Sequence, residues 1–118
     1  MQKRESLTDS ASEYFVKSLP DIPQEFMTEM YSGLIPSDMS DPERALFFVF
    51  QPRVSGDPVD EVTFWTRGGP GCSSLEGFVQ EIGLVQWTWG QYSPRINPYS
   101  WVNLTDVLWV GTPKLRYL

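Results

Sequence analysis

The feature that most constrains the fold is a strand-like run followed by a glycine-rich turn and a helix signal. Residues 62–65 (VTFW) are β-branched and aromatic, a composition typical of a strand. Residues 68–71 (GGPG) follow closely, and glycine permits tight backbone turns that other residues resist. Ser73 and Glu76 then have the S-x-x-E spacing of a helix capping box. The sequence therefore predicts a strand, a tight turn and a helix in succession.

The predicted helix runs to about Ile82 and carries one apolar stripe at the i, i+3, i+4 and i+7 spacing. The residues of this stripe are Leu75, Phe78, Val79 and Ile82. Gly83 follows directly and suits the left-handed position that often ends a helix.

Three further segments are predicted to be strands. Residues 27–35 (MTEMYSGLI) alternate weakly, whereas 46–50 (LFFVF) form a continuous apolar run, and 104–110 (LTDVLWV) follow the turn-like Asn97-Pro98. Near the start, the S-x-x-E spacing of Ser10 and Glu13 predicts one helical turn. A strand, turn, helix and strand in this order is typical of an α/β unit with a parallel crossover.

Charge and composition exclude several classes of function. The 118 residues carry a net charge of -6, which disfavours binding to nucleic acid or to an anionic lipid surface. Cys72 is the one cysteine and the chain has no histidine, which excludes the usual zinc-ligand spacings and an intrachain disulfide. We therefore expect no metal and no other cofactor.

Targeting segments are not evident from the sequence either. No stretch approaches the roughly 18 apolar residues of a membrane-spanning helix. The first ten residues, MQKRESLTDS, lack the apolar region of a signal peptide. Two interpretations remain open: the protein is cytosolic, or the chain begins downstream of a signal peptide.

Longer segments carry a family resemblance. The run FWTRGGPGCSSLEGF, then QEIG and later NPYSWVNLTDVLWV, resembles the serine carboxypeptidases, whose segments read W-L-N-G-G-P-G-C-S-S, E-x-G and N-P-Y-S-W. EYFVKSLP, MYSGLI and LFFVF also follow the order of that family, in a fungal-type sequence. The resemblance implies the amino-terminal part of an α/β-hydrolase domain over residues 13–113. This part would be an incomplete mixed sheet of about four strands and one main helix. Residues 1–12 are then a disordered or extended N-terminus and 114–118 a divergent tail.

The resemblance also implies the roles of several residues. The loop with Gly68 and Gly69 supplies the oxyanion hole, with the backbone N–H of Gly69 as the donor. The substrate carboxylate is recognised by the Glu of E-x-G, here Glu81, and by an Asn that precedes the glycines. In the family, that Glu shares a proton with an acid located later in the chain. A bare GGPG, without its flanking motif, would indicate only a tight strand-to-helix turn.

Arg67 stands where the family has this Asn. A guanidinium attracts a carboxylate, but it is longer than an amide and permanently charged, so it would crowd a site shaped for Asn. Two interpretations remain open: Arg67 pairs with Glu81, or it is exposed and solvated on the loop.

Three other residue types attract attention. The family pairs Cys72 with a later cysteine, which fits an oxidising compartment, although a small buried side chain is the alternative. Ser73 and Ser74 are not expected to be nucleophiles, because the motif differs from G-x-S-x-G and no histidine is present to act as a base. Asn103 begins the glycosylation sequon Asn-Leu-Thr, which counts only if the chain enters the secretory pathway.

The resemblance predicts a serine-type carboxypeptidase that takes the C-terminus of a peptide or protein as substrate, in the secretory pathway, with no nucleic acid or membrane partner. Its Ser, Asp and His triad would lie beyond Leu118, so the 118 residues are expected to be inactive alone. The alternatives are a non-catalytic peptide-binding remnant that uses Gly69 and Glu81, and a truncated gene product without function.

Overall fold

The computed structural model describes residues 9–36, 38–41, 44–57, 59–66 and 75–113. Its α-helices are short, two segments are 3-10 helices, and six strands form two sheets. In chain order the elements are α1 (Asp9–Ser12), a 3-10 helix (Gln24–Phe26), β1 (Tyr31–Pro36), β2 (Ala45–Gln51), β3 (Val62–Trp65), α2 (Leu75–Gln80), β4 (Val85–Gln86), β5 (Arg95–Ile96), a second 3-10 helix (Trp101–Asn103) and β6 (Asp106–Pro113).

The main sheet has four strands in the order β1-β2-β6-β3. β2 pairs antiparallel with both β1 and β6, whereas β3 pairs parallel with β6 in the register Phe64 to Leu108. Parallel strands need a crossover connection, and the chain between β3 and β6 contains α2. The predicted mixed α/β arrangement with a parallel crossover is therefore confirmed for this part of the molecule.

The core lies where α2 covers the middle of the sheet. Val107 and Trp109 of β6 are almost fully buried, and the ring of Phe78 from α2 meets the Trp109 indole edge-on at a centroid distance of 5.0 Å. The same cluster includes buried residues outside these two elements: Met27, Met30, Val49, Ile82 and Val102. Burying each such side chain contributes about 1.5–3 kcal/mol, so this cluster stabilises the packing of α2 on β6.

Most element predictions are confirmed, with shifted boundaries. The early helical turn is α1, which begins at Asp9, and the strand expected over 27–35 is β1, which begins only at Tyr31. Met27 and Met30 instead precede the strand as buried core residues. The last strand begins at Asp106 and reaches Pro113, because its pairing with β2 continues to Leu46.

The end of α2 differs from its prediction in two respects. The helix ends at Gln80, two residues before the predicted end at Ile82. The described glycines with positive φ are Gly56 and Gly90, so the left-handed C-terminal position predicted for Gly83 is wrong. Gly83 is needed for space instead, because a Cβ there would overlap the backbone carbonyl of Phe78. The chain thus packs directly against the last turn of α2.

Candidate functional site

Residues 67–74 lie outside the described residues, so the roles predicted for this loop stay predictions. They concern Arg67, Gly68, Gly69, Cys72, Ser73 and Ser74, together with the pairing of Arg67 and Glu81. The structure does describe the segments on both sides of the loop, β3 and α2, and the turn that carries Glu81.

The segments flanking the loop are packed together at Trp65, the last residue of β3. A Cβ at Gly77 of α2 would overlap the Trp65 indole, so the helix approaches the strand closely at this point. The Trp101 ring packs edge-on against the other side of Trp65, with centroids 5.6 Å apart and planes at 84°. Trp65 therefore contacts both α2, at Gly77, and the ring of Trp101.

Glu81 is the first residue after α2 and its side chain is exposed. Its backbone N–H and that of Ile82 both donate to the carbonyl of Gly77, at 3.3 and 3.0 Å. The helix therefore ends in a wide turn, in which the N–H of Ile82 reaches back five residues instead of four. The carbonyls of residues 81–84 consequently need partners elsewhere in the chain.

Asn97 and Ser100 supply these partners. The amide of Asn97 donates to the carbonyls of Glu81 and Gly83 at 3.2 and 3.1 Å, and its backbone N–H donates to Leu84 at 2.7 Å. The Ser100 hydroxyl donates to the carbonyl of Ile82 at 2.6 Å. Each carbonyl of the turn thus accepts a hydrogen bond from the segment around residues 97–100.

The hairpin of β4 and β5 explains why residues 97–100 reach the turn at residues 81–84. β4 begins right after the turn, pairs antiparallel with β5 in the register Val85 to Ile96, and β5 ends next to Asn97. The hairpin therefore returns the chain to the end of α2. The side chain of Tyr99 is 87% exposed, and its backbone N–H donates to Oδ1 of Asn97 at 3.0 Å.

The sequence predicts only a turn at Asn97-Pro98, although both residues belong to the N-P-Y-S-W segment of the family resemblance. The signal that could have identified Asn97 and Ser100 is their type and position. Short polar side chains that precede a predicted buried strand often bond to nearby backbone. The backbone groups that Asn97 and Ser100 contact depend on the pairing of β4 with β5. The spacing of residues in the sequence does not give the register of that pairing.

Asn103 lies at the end of the second 3-10 helix. Its side-chain amide donates to the carbonyl of Pro98 at 3.3 Å, and its own carbonyl accepts from Arg53 and Ser55 at 3.2 Å each. The Thr105 hydroxyl of the sequon shares a 2.7 Å hydrogen bond with the hydroxyl of Thr63. The side chain of Asn103 is partly exposed, and glycosylation there stays a prediction.

Among the described residues, no group of three or more His, Cys, Asp or Glu side chains could hold a metal ion. None of the helices in the described ranges has the length and apolar character needed to span a lipid bilayer.

Comparison with known proteins matches the sequence of this chain to one family. The family model for serine carboxypeptidases matches residues 20–114. Serine-type carboxypeptidase F of Aspergillus niger is 56% identical over 107 residues, which cover 91% of this chain and 20% of that protein. A probable serine carboxypeptidase of Arthroderma benhamiae is 47% identical over 83 residues, covering 70% of this chain and 16% of that protein.

A carboxypeptidase Y homolog of Arthroderma benhamiae is 36% identical over 109 residues, which cover 91% of this chain and 22% of that protein. The chain therefore spans about a fifth of the length of such relatives. The match extends from the segment before β1 through the glycine loop and the Glu81 turn to the end of β6. On this evidence the chain belongs to the serine carboxypeptidase family.

Proposed function

We propose that this chain is the amino-terminal part of a serine-type carboxypeptidase with an α/β-hydrolase fold, which releases C-terminal residues from peptides or proteins. The observation that supports this function most directly is the family match, which includes both the glycine loop and Glu81. The parallel pairing of β3 with β6 and the α2 crossover are compatible with that fold.

The glycine loop would stabilise the transition state. During acyl transfer the carbonyl oxygen of the scissile bond gains negative charge, and fixed N–H donors at that position lower the barrier. The loop with Gly68 and Gly69 connects β3 to α2, the position from which α/β hydrolases supply one of these donors. We assign the donated N–H to Gly69.

Glu81 would recognise the carboxylate of the substrate. Two carboxylates repel unless a proton lies between them, and in the family the corresponding Glu shares a proton with a partner acid. Arg67 takes the place of the family's Asn and would add a positive charge near the same carboxylate. An Arg67→Asn change in the full-length enzyme therefore tests whether this chain recognises the carboxylate differently.

The general base must come from outside these residues. The 118 residues contain no histidine, so a Ser, Asp and His triad cannot be assembled from them. The proposal is therefore that the 118-residue chain is inactive alone and that activity belongs to a longer protein of the secretory pathway. Its partner would be the free C-terminus of a peptide.

The test uses the full-length protein and a blocked dipeptide, offered as the free acid and as its C-terminal amide. We expect kcat/KM to be larger for the acid than for the amide. A Glu81→Gln variant should lower the ratio of these two values at least tenfold, which corresponds to about 1.4 kcal/mol of binding to the carboxylate. Absence of hydrolysis by the parent protein would contradict the proposed function. An unchanged preference in Glu81→Gln would contradict only the role of Glu81.

A further inference from the structure

We infer that Asn97 and Ser100 are positioning residues for Glu81, and that they determine how strongly the enzyme prefers a substrate with a free C-terminal carboxylate. The inference rests on the proposed function and adds two residues to its site. Neither side chain needs to touch the substrate, because both act on the backbone of the turn at residues 81–84.

The first step concerns the turn itself. Glu81 lies beyond the last residue of α2, and the N–H groups of Glu81 and Ile82 share the carbonyl of Gly77. The N–H of Glu81 therefore makes the last α-helical hydrogen bond, and the wider bond of Ile82 follows it. The helical ladder thus holds Glu81 on its N–H side but leaves its carbonyl to other partners. A carboxylate that must meet another carboxylate needs a defined position, since a displacement of about 1 Å can cost a factor of roughly 100 in rate.

The second step is the fit of Asn97 to the turn. Its buried side-chain amide uses both N–H bonds on the carbonyls of Glu81 and Gly83, and its Oδ1 accepts from the backbone of Tyr99. One side chain thus holds the residue that carries the carboxylate and the glycine two positions later. Only a side chain with two donors and an acceptor in this geometry satisfies all three groups.

The third step is the contribution of Ser100. Its buried hydroxyl donates to the carbonyl of Ile82 and accepts from the N–H of Val102, which belongs to the core cluster. The Trp101 N–H donates to the same carbonyl of Ile82 at 3.1 Å. The turn is therefore connected to the core, and also to Trp65, the last residue of β3, through the ring of Trp101.

The same segment thus contacts both the turn that carries Glu81 and the last residue of β3. Trp101 packs on the residue that leads into the glycine loop, while Asn97 and Ser100 bond to the turn that carries Glu81. This arrangement connects the turn that carries Glu81 to the last residue of β3. It predicts that loss of the Asn97 donors affects carboxylate recognition more than hydrolysis itself.

The test uses Asn97→Asp in the full-length enzyme, because Asp has the same shape and keeps the acceptor for Tyr99 but loses both donors. The readout is kcat/KM for a blocked dipeptide acid divided by kcat/KM for its amide. We expect this ratio to fall roughly tenfold, mainly through KM for the acid, with kcat for the amide close to that of the parent. Ser100→Ala should lower the ratio in the same direction, and Ser100→Thr, which keeps the hydroxyl, should restore part of it.

Ser32→Ala serves as the matched control. Its hydroxyl also donates to a backbone carbonyl, that of Phe48 at 3.0 Å, but on β1, the strand at the opposite edge of the sheet from β3. This variant should leave the ratio unchanged at a comparable loss of stability. Equal losses of acid and amide hydrolysis in Asn97→Asp and Ser100→Ala would overturn the positioning role, while a parent enzyme active on the acid would still support the proposed function.

If Asn97→Asp fails to fold, Ser100→Ala decides the question by the same ratio. A parent enzyme without activity on either substrate would contradict the proposed function and, with it, this role.

Discussion

Gly83 shows how a single hydrogen in place of a side chain determines the end of α2. A Cβ at this position would overlap the carbonyl of Phe78, a backbone atom that cannot move without unwinding the helix. We expect Gly83→Ala in the full-length protein to lower the free energy of unfolding by about 3 kcal/mol, the upper part of the range for overpacking. Denaturant unfolding measures the change.

Gly111→Ala is the matched control for this prediction. A Cβ there would lie 3.5 Å from the nearest atom, the carbonyl oxygen of Phe47, which is ordinary van der Waals contact. Its free energy of unfolding should stay within about 1 kcal/mol of the parent value. Equal effects of the two substitutions would show that the tight approach at Gly83 does not limit the turn.

Asp38 offers a test of local electrostatics away from the site. Hydrogen bonds from the side chain and backbone of Ser40 hold the pKa of the Asp38 carboxyl below its usual value of 3.8. Because these bonds favour the charged form, their contribution is present above the unfolded pKa and is lost as the pH falls through the folded pKa. Ser40→Ala should therefore raise the pKa of Asp38, which carboxyl-detected NMR titration measures; an unchanged titration would contradict this cause.

At the scale of elements, β3 combines an edge position in the main sheet with exposed apolar side chains. It is an edge strand of the main sheet, and its Val62 and Phe64 side chains, 58% and 61% exposed, lie on one face of it. An exposed apolar edge strand is a template for pairing with another chain. We expect the 118-residue chain to aggregate through this strand, and Phe64→Lys to slow the rise of light scattering severalfold, because a charge on an edge strand opposes pairing.

Leu104→Lys is the comparison for this experiment. Leu104 is 67% exposed, a value close to that of Phe64, but it lies between the second 3-10 helix and β6 rather than on an edge strand. The same charge at Leu104 should have little effect on the rate of scattering. A similar decrease in both variants would indicate that net charge, rather than the edge of β3, controls aggregation.

The sequence indicates elements well where one local pattern determines them. The apolar run of β2 and the β-branched run of β3 lie within a residue of their predicted bounds, and Phe78 of α2 and Ile82, just after it, are buried in the core as their spacing predicts. The hairpin of β4 and β5 was not predicted, because two-residue strands carry no periodicity. The network of Asn97 and Ser100 depends on this hairpin, so its partners could not be predicted from the sequence either.

At the scale of the whole molecule, the described residues combine a small buried core with large exposed apolar side chains. One buried cluster holds α2 against β6, whereas several large aromatic side chains remain almost fully exposed. These side chains are Trp89, Tyr92 and Tyr99, with exposed fractions of 94%, 102% and 87%. In relatives, about four fifths of the length lies outside the matched segment, which leaves ample chain to cover such surfaces.

We therefore expect the isolated 118 residues to show no cooperative thermal unfolding and no hydrolysis of a blocked dipeptide. The first expectation follows because an edge strand and an uncovered apolar face allow many alternative packings of similar free energy. The second follows because no histidine is present to serve as a general base. Calorimetry and a peptide hydrolysis assay measure the two properties independently. A sharp calorimetric transition would show that these residues form an autonomous domain, and turnover by the isolated chain would refute the need for a triad supplied by a longer protein.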